Sequence, residues 1–373
     1  MQYIKFPGSD LMLSKLGFGL MRLPNKDGHI DFAEAHKMTD HAIENGVNYL
    51  DTAYFYHHRE SELFLKEVLE RHGRSNLYIA DKLPVGDCKE ESDVERIVNH
   101  QCEKLGTDHI DFYMFHGLGK GSWQRVQELD AYKKLWDMQK QGRFKHVGFS
   151  FHDSPEVLDE ILSYGKWDFV MIPFNYYDFK GGRQEQQYEV IKKHNVPMLV
   201  MEGVRGGSLS NLPRGLNSMF TDFAPDMSVS SWALRFAASF ENVYVTLSGM
   251  STMEQVKDNL KTFSQFKSMT KEENDLIFEM LKEMHNVEQI ACTSCNYCDK
   301  CPENIEISRC FRSYNEFKVT ENQGSLNNNF KDMKNKDRHP DKCTNCRVCV
   351  EICPQHLDIP TEFKKVLELV TEN

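Results

Sequence analysis

The sequence predicts an α/β protein: a closed (β/α)8 barrel of the TIM type, followed by a small cysteine-rich module. Three observations carry this expectation. Short apolar runs alternate with amphipathic stretches from about Leu11 to Met250. Eight such runs are hydrophobic nearly throughout, as parallel strands buried on both faces must be. Nine of the 11 cysteines lie between Cys292 and Cys353. A chain of 373 residues that is 40% hydrophobic has room for one large barrel and one small module.

The strand candidates, in order, are LGFGLMRL, VNYLDTA, LYIADKL, IDFYMFH, HVGFSFH, FVMIPFN, PMLVMEG and VYVTLSG. The segments between them read as helices. DFAEAHKMTDHAIENG has Asp31 placed as a cap and Gly46 as a stop, and ESDVERIVNHQCEKLG stops at Gly106. Eight alternating pairs in about 250 residues is the size of a closed barrel. An open doubly wound sheet would place a G-x-G-x-x-G turn after its first strand, and LGFGLMRLP has none.

Beyond the barrel, KTFSQFKSMTKEENDLIFEMLKEMHNVEQIA reads as loop then helix, with Thr270 and Glu273 spaced as a capping box. It is the expected strap to the tail. IEISRCFRSYNEF reads as helix, and the polar ENQGSLNNNFKDMKNKDRHPD as a mobile loop. The expected division is residues 1–260 barrel, 261–290 helical linker and 291–373 cysteine module.

A net charge of -11 opposes a nucleic-acid role, which wants a basic footprint. No apolar stretch is long enough to cross a bilayer, and MQYIKFPGSDLMLSKLG lacks a basic segment followed by an apolar run. The expected location is the cytoplasm. There, clustered cysteines argue for metal rather than disulfides.

Barrel enzymes place chemistry at the carboxyl ends of their strands. Strand two ends in Asp51, strand three in Lys82 and strand four in His116, and Tyr56 follows Asp51 by five residues. A free tyrosine has a pKa of about 10. A neighbouring ammonium lowers it by stabilising the phenolate, and a carboxylate keeps that ammonium charged. An imidazole beside them can orient a carbonyl oxygen. The set suits proton donation to a carbonyl that receives hydride.

DTAYFY followed by Ser61 and Glu62, with the lysine and histidine at strand ends, resembles the aldo-keto reductases. YMFHGL, HVGFSFHDS, VMEGVRGGSL and LSGMSTMEQVKDN are similar to the branch with a C-terminal 4Fe-4S ferredoxin-type domain. The resemblance implies a barrel that binds an extended nicotinamide cofactor and a tyrosine acid with three partners, here Tyr56 with Asp51, Lys82 and His116. It implies nucleotide contacts from Ser150, from Arg205, Gly206 and Gly207, and from Ser248, Gly249, Met250, Ser251, Gln255 and Asn259. NADP-preferring members carry Lys and Arg where Gly249 and Gln255 stand, which favours NAD(H) over NADP(H). Ser150-Phe151, Met171 and Met201 replace the usual carboxamide and stacking residues, so the barrel holds nicotinamide differently or holds a flavin.

CTSCNYCDKCP and CTNCRVCVEICP are each C-x-x-C-x-x-C with a further Cys-Pro. This is the bacterial ferredoxin arrangement, in which the fourth cysteine ligates the other cluster. One [4Fe-4S] cluster is expected on Cys292, Cys295, Cys298 and Cys353, and the second on Cys343, Cys346, Cys349 and Cys301. The first motif is one residue short before Cys301. A pair of structural zincs would need two thiolate pairs per ion, not runs of three followed by Cys-Pro. Cys310 belongs to neither set. The full expectation is a (β/α)8 TIM barrel with a C-terminal ferredoxin-like dicluster domain. It would exchange hydride between nicotinamide and a small-molecule carbonyl or alcohol, and pass electrons to a redox protein partner. The alternatives are an electron-relay protein with a scaffold barrel, or a flavin- or radical-based reductase fed one electron at a time.

Overall fold

A computed structural model of the chain describes residues 1–212, 215–284, 288–320 and 322–370. Its strands are β1 Tyr3–Lys5, β2 Met12–Ser14, β3 Leu16–Gly19, β4 Asn25–Lys26, β5 His29–Ile30, β6 Tyr49–Asp51, β7 Tyr78–Leu83, β8 Ile110–Leu118, β9 Phe144–Phe151, β10 Phe169–Pro173, β11 Met198–Met201 and β12 Val243–Ser248. Each of the eight expected runs supplies one barrel strand. β3 and β6 to β12 form a closed parallel barrel, sealed where β12 pairs with β3.

The helices are α1 Phe32–Glu44, α2 Ser61–His72, α3 Glu91–Leu105, α4 Lys120–Glu128, α5 Ala131–Lys140, α6 Pro155–Tyr164, α7 Tyr176–Phe179, α8 Arg183–His194, α9 Asn217–Phe223, α10 Val229–Ala238, α11 Met253–Ser264, α12 Lys271–Met284, α13 Ile307–Thr320, α14 Gln323–Asn335, α15 Val348–Glu351 and α16 Ile359–Leu367. Their ends follow local chemistry. Asp31 accepts a hydrogen bond from Glu34 N at the start of α1. Gly106, at φ 64°, ends α3 in the left-handed conformation that glycine adopts without strain. Thr270 and Glu273 close a reciprocal capping box at α12, Thr270 N to Glu273 Oε2 at 2.8 Å and Glu273 N to Thr270 Oγ1 at 3.2 Å.

The chain divides into two compact units, Met1–Gly203 with Ala233–Met269, and Val204–Trp232 with Thr270–Asn373. The barrel interior of the first unit is filled by alternate residues of successive strands, among them Tyr49, Ala80, Phe112, Met114, Phe169, Met171, Leu199 and Val245. Phe6, between β1 and β2, joins this core. Its ring lies 5.1 Å from Phe112, 4.6 Å from His146 and 5.5 Å from Tyr244.

The second unit has its own core, built on Ile307, Cys310, Phe311, Tyr314, Leu326, Phe330, Met333, Ile359, Phe363 and Val366. Here the structure corrects the sequence reading. Most of the stretch expected as a mobile loop is helix α14, capped by Asn322, whose side chain accepts from Ser325 N at 3.0 Å. Leu326, Phe330 and Met333 recur at helical spacing and are all buried, so three apolar residues decide the structure of a run that is otherwise polar. His285 to Val287, in the expected strap, and Glu321 lie outside the described residues. Among the described residues no helix is long and apolar enough to cross a membrane.

Asn328 lies exposed in the middle of α14. Asn328→Pro is expected to destabilise the second unit by about 3 kcal/mol or more, because it removes a helix hydrogen bond and clashes with the preceding turn. Chemical denaturation followed by circular dichroism checks this. A variant as stable as the parent would return the segment to a loop.

Candidate functional site

The side-chain period of two along each strand builds the rim of the barrel. Tyr49, Ala80 and Met114 belong to the barrel core. Two residues further along their strands stand Asp51, Lys82 and His116, as the next inward positions. Asp51 and Lys82 are each 2% exposed. Lys82 Nζ donates to Asp51 Oδ1 at 2.5 Å and to the Thr52 carbonyl at 2.6 Å. Burial pushes the Asp51 carboxyl up from its ordinary value, and the Lys82 ammonium pulls against that rise. Asp51 Oδ2 is buried without a hydrogen-bond partner among the described residues, which leaves one acceptor for a bound group or a water.

Tyr56 opens the short 3₁₀ turn Tyr56–Arg59 and is half-buried. The Lys82 ammonium lies over its ring, 4.8 Å from the centroid. The His116 ring is 6.0 Å from the Tyr56 ring and nearly perpendicular to it, at 83°. Burial pushes the His116 pKa well below its usual value, and the charges of Lys82 and His152 push the same way. His116 is therefore a neutral imidazole near pH 7, in which one ring nitrogen carries a hydrogen. Four positions expected from sequence thus lie together: Asp51 on Lys82, Lys82 on Tyr56, and Tyr56 beside His116.

The turn that carries Tyr56 is strained. His57, His58 and Arg59 have φ of 48°, 53° and 74°, three successive non-glycine residues in left-handed backbone. Contacts on either side hold them there. Glu60 pairs with His29 Nδ1 and accepts from Ile30 N at 3.1 Å. The Arg59 guanidinium covers the Tyr54 ring at 4.5 Å, and Lys104 Nζ donates to the Arg59 carbonyl at 2.8 Å.

A buried polar network backs Lys82, and the sequence reading missed it. Gln101 Nε2 donates to the Lys82 carbonyl and to Glu62 Oε1, each at 3.1 Å, and Tyr113 Oη donates to Gln101 Oε1 at 2.6 Å. Lys104 pairs with the fully buried Glu62. Asp81 Oδ1 accepts from Lys82 N at 2.8 Å. Burial, followed by the Glu62 charge, holds the Asp81 pKa well above the usual carboxylate range. The available signal was Gln101, a polar residue on the apolar face of α3 among Val94, Ile97, Val98 and Leu105.

Of the expected nucleotide contacts, Ser248, Gly249, Met250 and Ser251 form the turn after β12, with Gln255 and Asn259 on α11 beneath it. Asn259 Nδ2 donates to Ser248 Oγ at 2.9 Å, and Ser251 N donates to Gln255 Oε1 at 2.7 Å. Met250 is buried. Ser150 accepts from Gly117 N at 2.8 Å, which fixes the residue after His116. Arg205, Gly206 and Gly207 belong to the second unit, where Arg205 is 5% exposed. A Cβ on Gly206 would come 2.5 Å from the Thr293 carbonyl, so only glycine fits there. Trp123 and Phe151 are packing residues. Both are buried, and the Trp123 ring meets Tyr164 at 4.9 Å.

In the second unit, Cys292, Cys295, Cys298 and Cys353 line one cavity, closed by Ile307, Phe311 and Ile359. Burial, with the neighbouring Cys295 and Cys292 among the other causes, pushes the Cys298 thiol up to about 12. Burial and then the neighbouring Cys301 and Cys343 push Cys349 up to about 11. Two groups of sulfurs therefore crowd in apolar surroundings, where thiolates are costly unless metal neutralises them. That donor set fits clusters. Both motifs repeat one backbone pattern. The residues flanking the second cysteine are left-handed in each, Ser294 and Asn296 at φ 52° and 65°, Asn345 and Arg347 at 57° and 62°. The one-residue difference in spacing also has a cause. Cys298 lies in a 3₁₀ turn, Tyr297–Lys300, whereas Cys349 lies in the α-helical turn α15, and a 3₁₀ turn uses fewer residues. Cys310 is fully buried near Cys292.

Residues 15–282 match the profile of the Aldo/keto reductase family, and residues 291–364 match a 4Fe-4S dicluster domain. An uncharacterized oxidoreductase of Bacillus subtilis, YqkF, is 24% identical over 301 residues, covering 72% of this chain and 93% of its own length. An NADH-specific methylglyoxal reductase of Escherichia coli is 23% identical over 210 residues, covering 48% of this chain and 60% of that protein. Among solved structures, the holo form of an aldo-keto reductase from Bacillus halodurans superposes with a TM-score of 0.63 at 26% identity, over 75% of this chain and 96% of its own.

The depressed His116 pKa sets a pH dependence. Below about pH 6.5 the unfolded chain takes up a proton that the folded chain refuses, so stability is lost on acidification. His57 and His146 are lowered in the same direction, both by burial first. The melting temperature is expected to fall between pH 7 and pH 5, and His116→Gln to reduce the slope. Melts that give one slope for both proteins would contradict a neutral His116.

Proposed function

Because this chain belongs to the aldo/keto reductase family of oxidoreductases, we propose that it reduces a small-molecule carbonyl to an alcohol, or runs the reverse reaction, with Tyr56 as general acid and base. The observation that carries this reading is the Lys82 ammonium, fixed by Asp51 and lying over the Tyr56 ring beside a neutral His116.

A nicotinamide, when bound, would supply or remove the hydride, and iron–sulfur clusters would pass single electrons. The residues of this chain do the rest. His116 donates a hydrogen bond to the carbonyl oxygen and orients it. As the carbonyl carbon gains hydride, the oxygen gains negative charge and takes the Tyr56 hydroxyl proton. Lys82 stabilises the phenolate left behind, and Asp51 holds the Lys82 ammonium in place beside it. In the oxidising direction the same groups move the proton back. In the first unit, Ser150, Ser248, Gly249, Met250, Ser251, Gln255 and Asn259 would hold the dinucleotide. Gly249 and Gln255 carry no charge, so on those side chains alone NADH is favoured over NADPH.

The cysteines divide across the two motifs: Cys292, Cys295, Cys298 and Cys353 for one [4Fe-4S] cluster, and Cys343, Cys346, Cys349 and Cys301 for the other. The cavity shared by Cys353 with the first three cysteines supports the crossed assignment. The clusters would exchange electrons with a redox protein in the cytoplasm.

Tyr56→Phe keeps the ring under Lys82 and removes only the transferable proton. It is expected to lower kcat about 10²- to 10⁴-fold, with little change in nucleotide affinity. Steady-state rates across a panel of aldehydes and ketones check this, and unchanged turnover would remove Tyr56 from the reaction. Anaerobically prepared protein should carry about eight irons and a broad visible absorbance bleached by dithionite. Cys353→Ser should lose roughly half of that iron together with ligation from the Cys292 motif. Zinc in place of iron would refute the cluster assignment.

A further inference from the structure

The turns after the first and last barrel strands meet because β12 pairs with β3, with Ser248 opposite Phe18. Four residues beyond Phe18, at the end of the 3₁₀ turn Leu20–Arg22, stands Arg22. Its side chain runs along Gly249. A Cβ placed on Gly249 would meet Arg22 Cβ and Cγ at 3.1 Å and Cδ at 3.2 Å. The Ser251 hydroxyl donates to the Arg22 carbonyl at 2.7 Å, which ties the backbone of Arg22 to the last turn.

On the dinucleotide-binding reading given above, we propose that Arg22 is a cation of the nucleotide site and pairs with a phosphate group of the bound dinucleotide. Three points carry this. First, the turn from Ser248 to Met253 contains no lysine or arginine of its own. Second, the aliphatic stem of Arg22 occupies the volume into which a side chain at position 249 would grow. A side chain at 249 would crowd the Arg22 stem, which would have to give way by a few tenths of an ångström, so glycine at 249 leaves room for an arginine from the first turn. Third, guanidinium binds phosphate through two parallel N–H bonds, which lets one residue from outside the turn supply both charge and direction. In a chain of net charge -11, phosphates brought to the rim meet general repulsion, and a local cation offsets it. The phosphate is either the pyrophosphate common to both dinucleotides or the adenosine 2′-phosphate of NADPH.

The test is binding, not turnover. Dissociation constants for NADH and NADPH are measured by fluorescence titration on the full-length, cluster-loaded protein. The proteins compared are the parent, Arg22→Gln, Arg22→Lys, and the double variant Arg22→Ala with Gly249→Lys, each with parental iron content and circular dichroism. Arg22→Gln is expected to weaken binding roughly tenfold or more, the scale of one charge-assisted contact. An equal loss for both nucleotides assigns Arg22 to the pyrophosphate. A loss confined to NADPH assigns it to the 2′-phosphate, and the double variant should then recover NADPH binding. Arg22→Lys should lose less than Arg22→Gln. If the parent binds either nucleotide and Arg22→Gln binds it equally well, this inference falls and the dinucleotide reading stands. If the parent binds neither, both fall.

Discussion

An ammonium cannot be carried into the interior of a barrel without a counter-charge, and the pair formed by Lys82 and Asp51 is the constraint around which the rim is arranged. Both side chains are almost wholly buried, so their desolvation has to be offset by geometry. Lys82 has three hydrogens to place. One goes to Asp51 and one to the Thr52 carbonyl, and the charge faces the Tyr56 ring. Its field falls on the Tyr56 phenol. A lysine free in solvent would exert far less influence on that phenol, because water screens it. The same field also reaches His116 and helps to keep it neutral.

Such a pair works only if it does not move, and the surrounding structure supplies the rigidity. Gln101 grips the carbonyl of Lys82 from outside the barrel, while Asp81 accepts from its N–H, so the main chain at Lys82 is held at both ends. Glu62 and Lys104 extend that grip to α2 and α3. On the other side, Lys104 also holds the Arg59 carbonyl of the strained turn that presents Tyr56. Lys104 therefore connects the support of the lysine with the support of the tyrosine. Strained backbone survives where neighbours over-determine it, and here one of those neighbours, Lys104, also belongs to the network that holds the main chain at Lys82.

The parts of the molecule legible in the sequence are those governed by local pattern. Continuous apolar runs gave the barrel strands, and the polar residue ending each run gave Asp51, Lys82 and His116. Capping residues such as Asp31 and Thr270 marked helix starts correctly. What stayed hidden depends on residues distant in sequence. Gln101 looks like one polar residue in a helix until β7 is laid against it. Arg22 and Gly249 are near neighbours only because the barrel closes. Helix α14 was obscured differently: its Asn, Lys and Asp content outweighed Leu326, Phe330 and Met333, which matter because a hydrophobic face exists to receive them.

The cysteine motifs raise a question that spacing alone left open, namely why the first is one residue short. The 3₁₀ turn at Tyr297–Lys300 brings Cys301 round in three residues where the α-helical turn at Val348–Glu351 takes four to reach Cys353. Cys301 N donates to the Cys298 carbonyl at 3.2 Å, an i to i+3 bond. Under crossed ligation neither motif can complete a cluster alone, because each lends its last cysteine to the other. Thiols as confined as Cys298 and Cys349 resist ionisation, so metal binding must supply what burial takes away. Each centre would then draw on both motifs, and the buried core of Ile307, Phe311, Ile359 and Phe363, against which Cys292, Cys301, Cys343 and Cys353 pack, would hold the two motifs together.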